Sequence, residues 1–423
     1  MKVIIKDTDK FKQQALQWAS GFDVCCCLDS NGYADKYSRF DLLIAAGRKA
    51  ELQVISQDAF EKLSAFKNQH PGWLLGFLTY DLKNETEQLG SGNFDGLHFP
   101  QLHFFEPEHL LIVKGNQLEI QSPEAEVVLA AIEAQVVREE HIAPNINLQS
   151  RFDRDEYIDV VNRIKEHIIR GDVYVTNFCQ EFYADAAQID PLAAFIKLNQ
   201  ISPNPFAAFY KQNNQYIICA SPERFMAKRD KTLISQPIKG TAKIAGNAQD
   251  DALIMQQLQS SPKEQQENVM VVDLVRNDLT RSAKPGTVVT EELFGIYSFR
   301  QVHQMISTVT CQIANNLGPV EAIRNTFPMG SMTGAPKVNS MRLMEHYERS
   351  KRGVYSGAVG YFSPDGDFDF NVVIRSMLYN AGRQYLSFQV GSAITYNADA
   401  GAEYEECLLK ASAIMEVLEP HPL

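Results

Sequence analysis

Two pairs of acidic residues have a spacing that suits metal binding. Glu264 and Glu267 lie three positions apart in KEQQENVM, and Glu403 and Glu406 lie three positions apart in AEYEECLLK. On a helix this spacing places both carboxylates of a pair on one face. Four carboxylates brought together repel one another and need a cation, and oxygen ligands without Cys or His favour Mg²⁺. The alternative is that acids in a first helical turn only complement the helix dipole.

A lysine and a second kind of glutamate have positions that suit bond-making chemistry. Lys239 lies between apolar Ile238 and Gly240 in a segment typical of a buried strand end. Loss of hydration there lowers the pKa of an amine and makes it a nucleophile. Glu223 follows the apolar strand YIICA, at a position that suits a general acid or base. The alternatives are a surface turn for Lys239 and an ion pair with Arg224 for Glu223.

Further residues suit the recognition of an anion. Arg375 lies within FNVVIRSML, an apolar strand pattern in which an arginine needs an anionic partner. Lys410 follows Glu406 by one helical turn, so an i,i+4 ion pair is the alternative to a role in binding. Ser331 and Thr333 lie in GSMTGAPK, a turn that precedes a helix. The amides and hydroxyls of such a turn suit a carboxylate, or they simply cap the helix.

The elements that must position these residues follow no regular alternation. Helices are predicted at 262–279, 335–349 and 402–418, and another is predicted to begin after Asp153 and to end at Gly171. Strands are predicted at 40–46, 73–80, 174–183, 215–220, 232–238, 354–362, 368–379 and 384–396. Because strict βαβ alternation is absent, we expect an α+β fold with large antiparallel sheets and helices on the outside.

Composition and charge narrow the class of protein. The chain has 423 residues, of which 45% are hydrophobic and 22% charged, as in a globular protein with a sizeable core. A net charge of −12 argues against a nucleic-acid partner, because phosphate binding needs a clustered positive face. An anionic substrate must therefore be attracted by local positive groups.

The seven cysteines show no paired spacing and indicate reduced thiols. The run Cys25–Cys27 is interpreted as buried strand and not as a metal site, because no second ligand cluster accompanies it. Neither a signal-peptide pattern nor an uninterrupted apolar window of about 18 residues is present. We therefore expect a cytoplasmic protein with no membrane span.

Several motifs occur once each along the chain, in this order: GDVY, SPERF, QPIKGT, KEQQENVMVVDLVRNDL, GSMTGAPK, YSGAVGYF, FNVVIRS and GSAIT with AEYEECLLKA. This ordered set closely resembles the chorismate-utilising enzymes, a family that includes anthranilate synthase component I, aminodeoxychorismate synthase component I, isochorismate synthase and salicylate synthase. The match is strong over about 153–415 and loose before it. The resemblance implies a two-lobed sandwich of large antiparallel sheets, with an N-terminal lobe at 1–145 and a chorismate-binding catalytic region at 150–418.

The resemblance also implies roles for individual residues. Glu267 and Glu406 match the glutamates that hold Mg²⁺, with Glu264 and Glu403 behind them through water. Glu223 matches the general acid that assists departure of the C4 hydroxyl of chorismate. The implied substrate-binding residues are Arg375, Tyr355, Lys410, Ser331, Thr333, Gly240, Thr241, Gly391 and Gln304.

Lys239 indicates which branch of the family the chain resembles. The lysine of PIKGT is a covalent nucleophile at ring C2 in aminodeoxychorismate synthases, whereas anthranilate synthases commonly have alanine there. The resemblance thus implies amination of chorismate to 4-amino-4-deoxychorismate, the first step of p-aminobenzoate and folate synthesis. No Gly-x-Cys-x-Gly element surrounds a cysteine, so we expect ammonia from a separate glutamine amidotransferase subunit. The alternatives are anthranilate synthase component I and a non-catalytic chorismate-binding subunit.

Two positions depart from the family pattern. Val175 stands where a glutamine is common, and Gln304 stands where a histidine is common, with His303 shifted by one place. Neither change affects Lys239 or the glutamates, so we expect activity to be retained.

Overall fold

Two hydrophobic cores, on the two faces of one strand layer, organise the chain. The computed structural model describes residues 1–33, 35–137, 146–300 and 302–418. Side chains alternate along a strand, and the cysteine run shows this directly: Cys26 enters one core, whereas Cys25 and Cys27 enter the other. The predicted buried strand at Cys25–Cys27 is confirmed.

The described residues form twenty strands and eleven α-helices. The strands are β1 (Lys2–Ile4), β2 (Val24–Asp29), β3 (Leu42–Val54), β4 (Leu74–Leu78), β5 (Leu102–Lys114), β6 (Gln117–Gln121), β7 (Gln149–Ser150), β8 (Val175–Ala184), β9 (Phe206–Gln212), β10 (Gln215–Ser221), β11 (Arg224–Arg229), β12 (Thr232–Gln236), β13 (Ile238–Lys243), β14 (Val289–Ser298), β15 (Val302–Gln312), β16 (Gly334–Ala335), β17 (Ala358–Phe362), β18 (Phe368–Asn371), β19 (Ser376–Asn380) and β20 (Tyr385–Ile394). The helices are α1 (Thr8–Ala19), α2 (Ala59–Gln69), α3 (Lys83–Thr86), α4 (Ala125–Glu133), α5 (Arg154–Arg170), α6 (Pro191–Ile201), α7 (Ala248–Ser260), α8 (Pro262–Thr280), α9 (Pro319–Thr326), α10 (Lys337–Tyr347) and α11 (Ala400–Leu418).

The strands form two layers that share strand β5. One layer runs β6–β5–β3–β2–β9–β10–β19–β20–β8, and the other leaves β5 through β4–β17–β18–β11–β12–β15, with β13 and β14 also on β15. Every ladder between these strands is antiparallel. Helices α1, α6 and α11 pack on the first layer, and α7 and α8 pack against β13 and β15. The predicted α+β fold, with large antiparallel sheets and outer helices, is confirmed.

Local capping signals explain where the predicted helices begin and end. Asp153 accepts a hydrogen bond from the backbone of Glu156 in a capping box, and Gly171 ends helix α5 with a φ of 85°. Ser261 caps helix α8, and Pro262 occupies its first turn, where the missing N–H costs nothing. The predicted helices around 262–279, 335–349 and 402–418 are all present, with ends shifted by up to two residues.

The predicted single strand at 368–379 is wrong, because the chain changes layer within it. Strand β18 pairs with β11, whereas β19 pairs with β10 in the other layer. Arg375 lies between them with a φ of 52°, a left-handed conformation that turns the chain from one layer to the other. The predicted strand at 354–362 likewise begins only at Ala358. An apolar run reveals burial but not a change of partner strand.

Strands before and after the predicted lobe boundary pair directly, β2 with β9 and β4 with β17. The predicted boundary between the lobes at 1–145 and 150–418 lies partly outside the described residues. The division into 1–145 and 150–418 therefore stays a prediction. Within the described ranges no helix has the length and apolar character needed to cross a bilayer.

Candidate active site

A cavity beside helix α8 brings several predicted site residues together. This front cavity is lined by β8, β13, α8, the turn at 330–334 and the end of β20. Lys239 and Glu267 share its wall with Ser331 and Thr333. The remaining lining is largely apolar and includes Val175, Met270, Val271, Leu274 and Ala393. The amine of Lys239 and the carboxylate of Glu267 therefore lie in surroundings with few other polar groups.

Lys239 lies on strand β13, partly buried. Burial lowers the pKa of Lys239, and the charge of Lys410 lowers it further. The negative charges of Glu267, Glu223 and Glu406 act in the opposite direction and raise this pKa. Strand β13 approaches helix α8 closely at Gly240, where φ is 92° and a Cβ would lie 3.1 Å from a carboxylate oxygen of Glu264. A lysine with a lowered pKa has more of its neutral, nucleophilic form. The alternative of a surface turn is wrong.

Glu223 lies in the turn between strands β10 and β11 and is 6% exposed. Burial raises the pKa of Glu223 to about 7, although the Ser331 hydroxyl and the charge of Lys239 oppose the rise. Its neighbour Arg224 donates instead to Asp369, at 2.9 Å, so the alternative of an ion pair with Arg224 is wrong. Glu223 is thus a carboxyl group that holds its proton close to neutral pH, as a general acid must.

A second cavity lies on the other side of the turn at 330–334. This rear cavity is lined by Glu223 and by Asp278 of helix α8. Asp278 is buried and accepts a hydrogen bond from the buried Lys337 at 2.9 Å. Gly330 and Ser331 line both cavities. One turn of backbone therefore separates Glu223 from the cavity that contains Lys239.

The two predicted acidic pairs lie in the first two turns of helices α8 and α11, with Glu264 and Glu403 in the first turn of each. Burial raises the pKa of Glu267, and the charges of Glu264 and Glu406 add to the rise. Burial also raises the pKa of Glu403, whose carboxylate accepts a hydrogen bond from Ser392. The carboxylates of the two helices therefore influence one another's ionisation, as expected for a cluster that needs positive charge.

Lysines supply positive charge to this cluster. Lys410 Nζ lies 2.6 Å from the carboxylate of Glu406, so the i,i+4 ion pair is present. Partial burial raises the pKa of Glu406, but this ion pair outweighs it and the pKa falls below its ordinary value. The donors fit Mg²⁺ by type, since all are oxygen. No group of three or more His, Cys, Asp or Glu side chains is arranged to hold a metal in the described parts of the chain, so Mg²⁺ binding stays a prediction.

A second polar cluster forms where helix α11 meets the crossing between layers. Lys410 Nζ donates to the carbonyl of Gly391 at 3.0 Å, and Arg375 Nη1 donates to the carbonyl of Lys410 at 3.2 Å. Burial lowers the pKa of Arg375, and the neighbouring Tyr355 opposes this. At Gly391 a Cβ would lie 2.8 Å from the sulfur of Cys179. Four predicted substrate-binding residues thus meet in one place.

Two predicted substrate contacts, Thr241 and Gln304, are not in the lining of either cavity, and the hydroxyl of Thr333 bonds to the backbone. Thr241 and Gln304 are paired across β13 and β15; Thr241 is exposed and Gln304 is buried. His303 contacts Asp251 at 2.8 Å, so it does not replace the missing histidine. The hydroxyl of Thr333 donates to a backbone carbonyl at 3.1 Å. For Thr241 and Gln304 a role in binding rests on the resemblance alone.

A buried ion pair that sequence reasoning missed holds the turn between the cavities. Arg352 donates to the carbonyls of Met332 and Asn177, each at 2.7 Å, and pairs with Glu348 at 2.6 Å. Arg352 is 2% exposed, so this cation is held by protein groups and not by water. The only local signal was an i,i+4 spacing, which is more typical of a surface pair.

Comparison with known proteins identifies relatives of similar architecture. A family profile described as chorismate binding enzyme matches residues 23–416. Aminodeoxychorismate synthase of Streptomyces griseus is 39% identical over 273 residues, which are 64% of this chain and 37% of that longer protein. Aminodeoxychorismate synthase component 1 of Klebsiella aerogenes is 32% identical over 425 residues and 92% of each chain. The crystal structure of anthranilate synthase component I from Streptococcus pneumoniae TIGR4 superposes with a TM-score of 0.78 at 25% identity, over 90% of this chain and 93% of that one.

The family match and the fold lead to the same classification. The profile covers nearly all of the described chain, and the layered antiparallel sheets correspond to those of the streptococcal structure. The two cavities and the polar clusters beside them are built from the motifs that carried the resemblance. This protein belongs to the family of chorismate-binding enzymes.

Proposed function

We propose that this protein aminates chorismate to 4-amino-4-deoxychorismate, for p-aminobenzoate and folate synthesis. The observation that carries the proposal is Lys239, a partly buried lysine of lowered pKa that shares the front cavity with Glu267 and lies near Glu223. The relatives from Streptomyces griseus and Klebsiella aerogenes support it, because both are named aminodeoxychorismate synthases.

In the first half of the reaction an enzyme amine bonds to ring C2 and the C4 hydroxyl leaves. The neutral Nζ of Lys239 forms a bond to ring C2, the ring double bonds shift, and the C4–O bond breaks. Hydroxide is a poor leaving group, so Glu223 donates its proton to the departing oxygen and water is released. The lysine nitrogen now carries the positive charge, and Glu223 is a carboxylate.

The second half introduces the new nitrogen. The lone pair of ammonia forms a bond to C4, the double bonds shift back, and the C2–N bond breaks so that its electron pair returns to Lys239. The amine of Lys239 is neutral again and the product carries an ammonium group at C4. The enolpyruvyl ether is never broken, so no pyruvate is released.

Binding of the dianionic substrate requires positive groups, because the protein as a whole is negative. We assign this role to Arg375 and Lys410, with the Tyr355 hydroxyl beside them. Mg²⁺, when bound by Glu267 and Glu406 with Glu264 and Glu403 around it, would supply positive charge to a substrate carboxylate. We expect ammonia to come from a glutamine amidotransferase subunit.

Product analysis tests the proposal. The chain is incubated with chorismate, Mg²⁺ and ammonium, and products are separated and identified by mass. The expected product is an aminated ring that keeps its enolpyruvyl group, and Lys239→Ala abolishes it. Lys243→Ala, an exposed lysine on the same strand, is the matched control and should keep the activity.

Two other outcomes would replace the proposal. Release of pyruvate with formation of anthranilate would make the protein an anthranilate synthase component I. Binding of chorismate without turnover, in the presence of Mg²⁺ and ammonium, would make it a non-catalytic chorismate-binding subunit.

A further inference from the structure

The rear cavity contains a buried carboxylate oxygen that lacks a hydrogen-bond donor. Asp278 is 3% exposed, and its Oδ1 has no hydrogen-bond partner among the described residues. The Ser331 hydroxyl, also buried in the lining, faces Glu223 closely enough to lower its pKa. A buried polar atom without a partner is destabilising, so nearly all such atoms in native structures have a hydrogen-bond partner. The free oxygen of Asp278 therefore points to a small hydrogen-bond donor inside the cavity.

The charges around the cavity favour a donor that is positive or readily protonated. Glu223 and Asp278 both line it. Lys337 Nζ donates to Asp278 Oδ2 and to the carbonyl of Thr326, each at 2.9 Å. It makes no hydrogen bond to Asp278 Oδ1. Ammonium offers four N–H donors, which suit the Asp278 carboxylate, the Glu223 carboxyl group and the Ser331 hydroxyl.

The cavity has the size for such a molecule. It leaves room for about one molecule as large as water or ammonia. Much of the remaining wall is apolar, from Phe225, Met226, Val275, Leu279 and Met329.

The rear cavity also adjoins the site of bond formation. Gly330 and Ser331 line both cavities, so the two adjoin at this turn. At Gly330 a Cβ would lie 3.0 Å from Leu274 and 3.5 Å from Asp278 Oδ2. The missing side chain keeps the boundary between the cavities thin.

We propose that the rear cavity is the ammonium site of the amination reaction, with Asp278 and Ser331 as binding groups and Glu223 as the proton acceptor. This inference rests on the proposed function. Ammonium gives one N–H proton to the Glu223 carboxylate that remains after C4–O cleavage, and the resulting ammonia passes the Gly330–Ser331 turn to attack C4. Glu223 is thereby protonated again for the next substrate. The overall change is chorismate plus ammonium to the C4-ammonium product plus water.

Substitutions along helix α8 test this assignment. Val275 lines only the rear cavity, Val271 only the front cavity, and Val269 is 40% exposed. Apparent KM values for ammonium and for chorismate are measured for Val275→Leu, Val271→Leu and Val269→Leu at constant ionic strength. One added methylene in a filled pocket changes affinity by about 10-fold or more, so Val275→Leu should raise the KM for ammonium by about that factor. Its KM for chorismate should stay within about 2-fold of wild type.

The other variants have distinct expectations. Val271→Leu should raise the KM for chorismate, and Val269→Leu should change neither constant. Asp278→Asn removes the charge at the free oxygen and should also raise the KM for ammonium selectively. If Asp278→Asn fails to fold because Lys337 loses its partner, Val275→Leu still decides the question.

The outcomes separate this inference from the proposed function. If the wild-type chain forms no aminated product, the proposed function fails. If it forms the product and Val275→Leu leaves the KM for ammonium unchanged, the cavity holds only water and the ammonium site is refuted. A parallel rise of both KM values in Val275→Leu would also refute it, because the substitution would then act through general distortion.

Discussion

Replacement of Glu223 by glutamine should make the protein more stable and less active. Burial raises the pKa of Glu223 from 4.5 to about 7, so the ionised carboxylate is disfavoured in the folded state. A difference of this size corresponds to about 3 kcal/mol of unfolding free energy. The amide of Glu223→Gln keeps the shape of the side chain and cannot ionise, so it avoids that cost.

The sign of the pH dependence follows from the raised pKa. Below about pH 4.5 the carboxyl group is protonated in both the folded and the unfolded chain, so wild type and Glu223→Gln should have similar stability. Between about pH 4.5 and 7 the unfolded chain loses the proton more readily, and wild-type stability falls relative to the variant. Above pH 7 the difference should level off at no more than about 3 kcal/mol.

Urea unfolding at pH values from 5 to 9 measures this difference directly. Glu416→Gln, an exposed position on helix α11, controls for the loss of one charge. In parallel, loss of the general acid should reduce kcat by about 100-fold or more, and wild-type kcat/KM should fall as the pH rises through about 7. A stability difference that does not change with pH would refute the reasoning, as would a Glu223→Gln variant with full activity.

Three further perturbations test other parts of the structure. Arg352→Met should lower the unfolding free energy by about 3–5 kcal/mol, because Glu348 is left buried without its partner. Arg349→Met, at a more exposed arginine, is the control, and denaturant unfolding measures the stability of both variants. Gly391→Ala should cost about 1–3 kcal/mol in thermal unfolding, because its Cβ meets Cys179. Removal of Mg²⁺ with EDTA should abolish turnover, and Mg²⁺ should restore it; full activity in EDTA would exclude the predicted metal site.

Features encoded by neighbouring residues were predictable from the sequence. The ends of helix α5 follow from Asp153 and Gly171, because a cap needs only the first or last turn of its own helix. The acidic pairs were recognisable for the same reason, since a spacing of three positions fixes a shared helical face. What the pattern could not give was the distance between the helices that carry the two pairs.

Features that depend on distant partners were not predictable. Arg375 lies in an apolar run that looks continuous, yet its neighbours on either side pair with strands of different layers. The i,i+4 spacing of Glu348 and Arg352 is typical of a surface pair, and only the fold shows that Arg352 donates to the carbonyl of Met332. The rear cavity was missed altogether, because Asp278 and Glu223 are 55 positions apart and share no motif.

Because β2 pairs with β9 and β4 pairs with β17, a division of the chain near residue 150 would separate strands that pair directly. A fragment beginning near residue 150 would expose the edges of β9 and β17 to solvent, each with a row of unpaired backbone groups. Such edges recruit other strands, so the fragment should aggregate instead of folding. The parts of this protein before and after residue 150 should therefore fold and unfold as one cooperative unit.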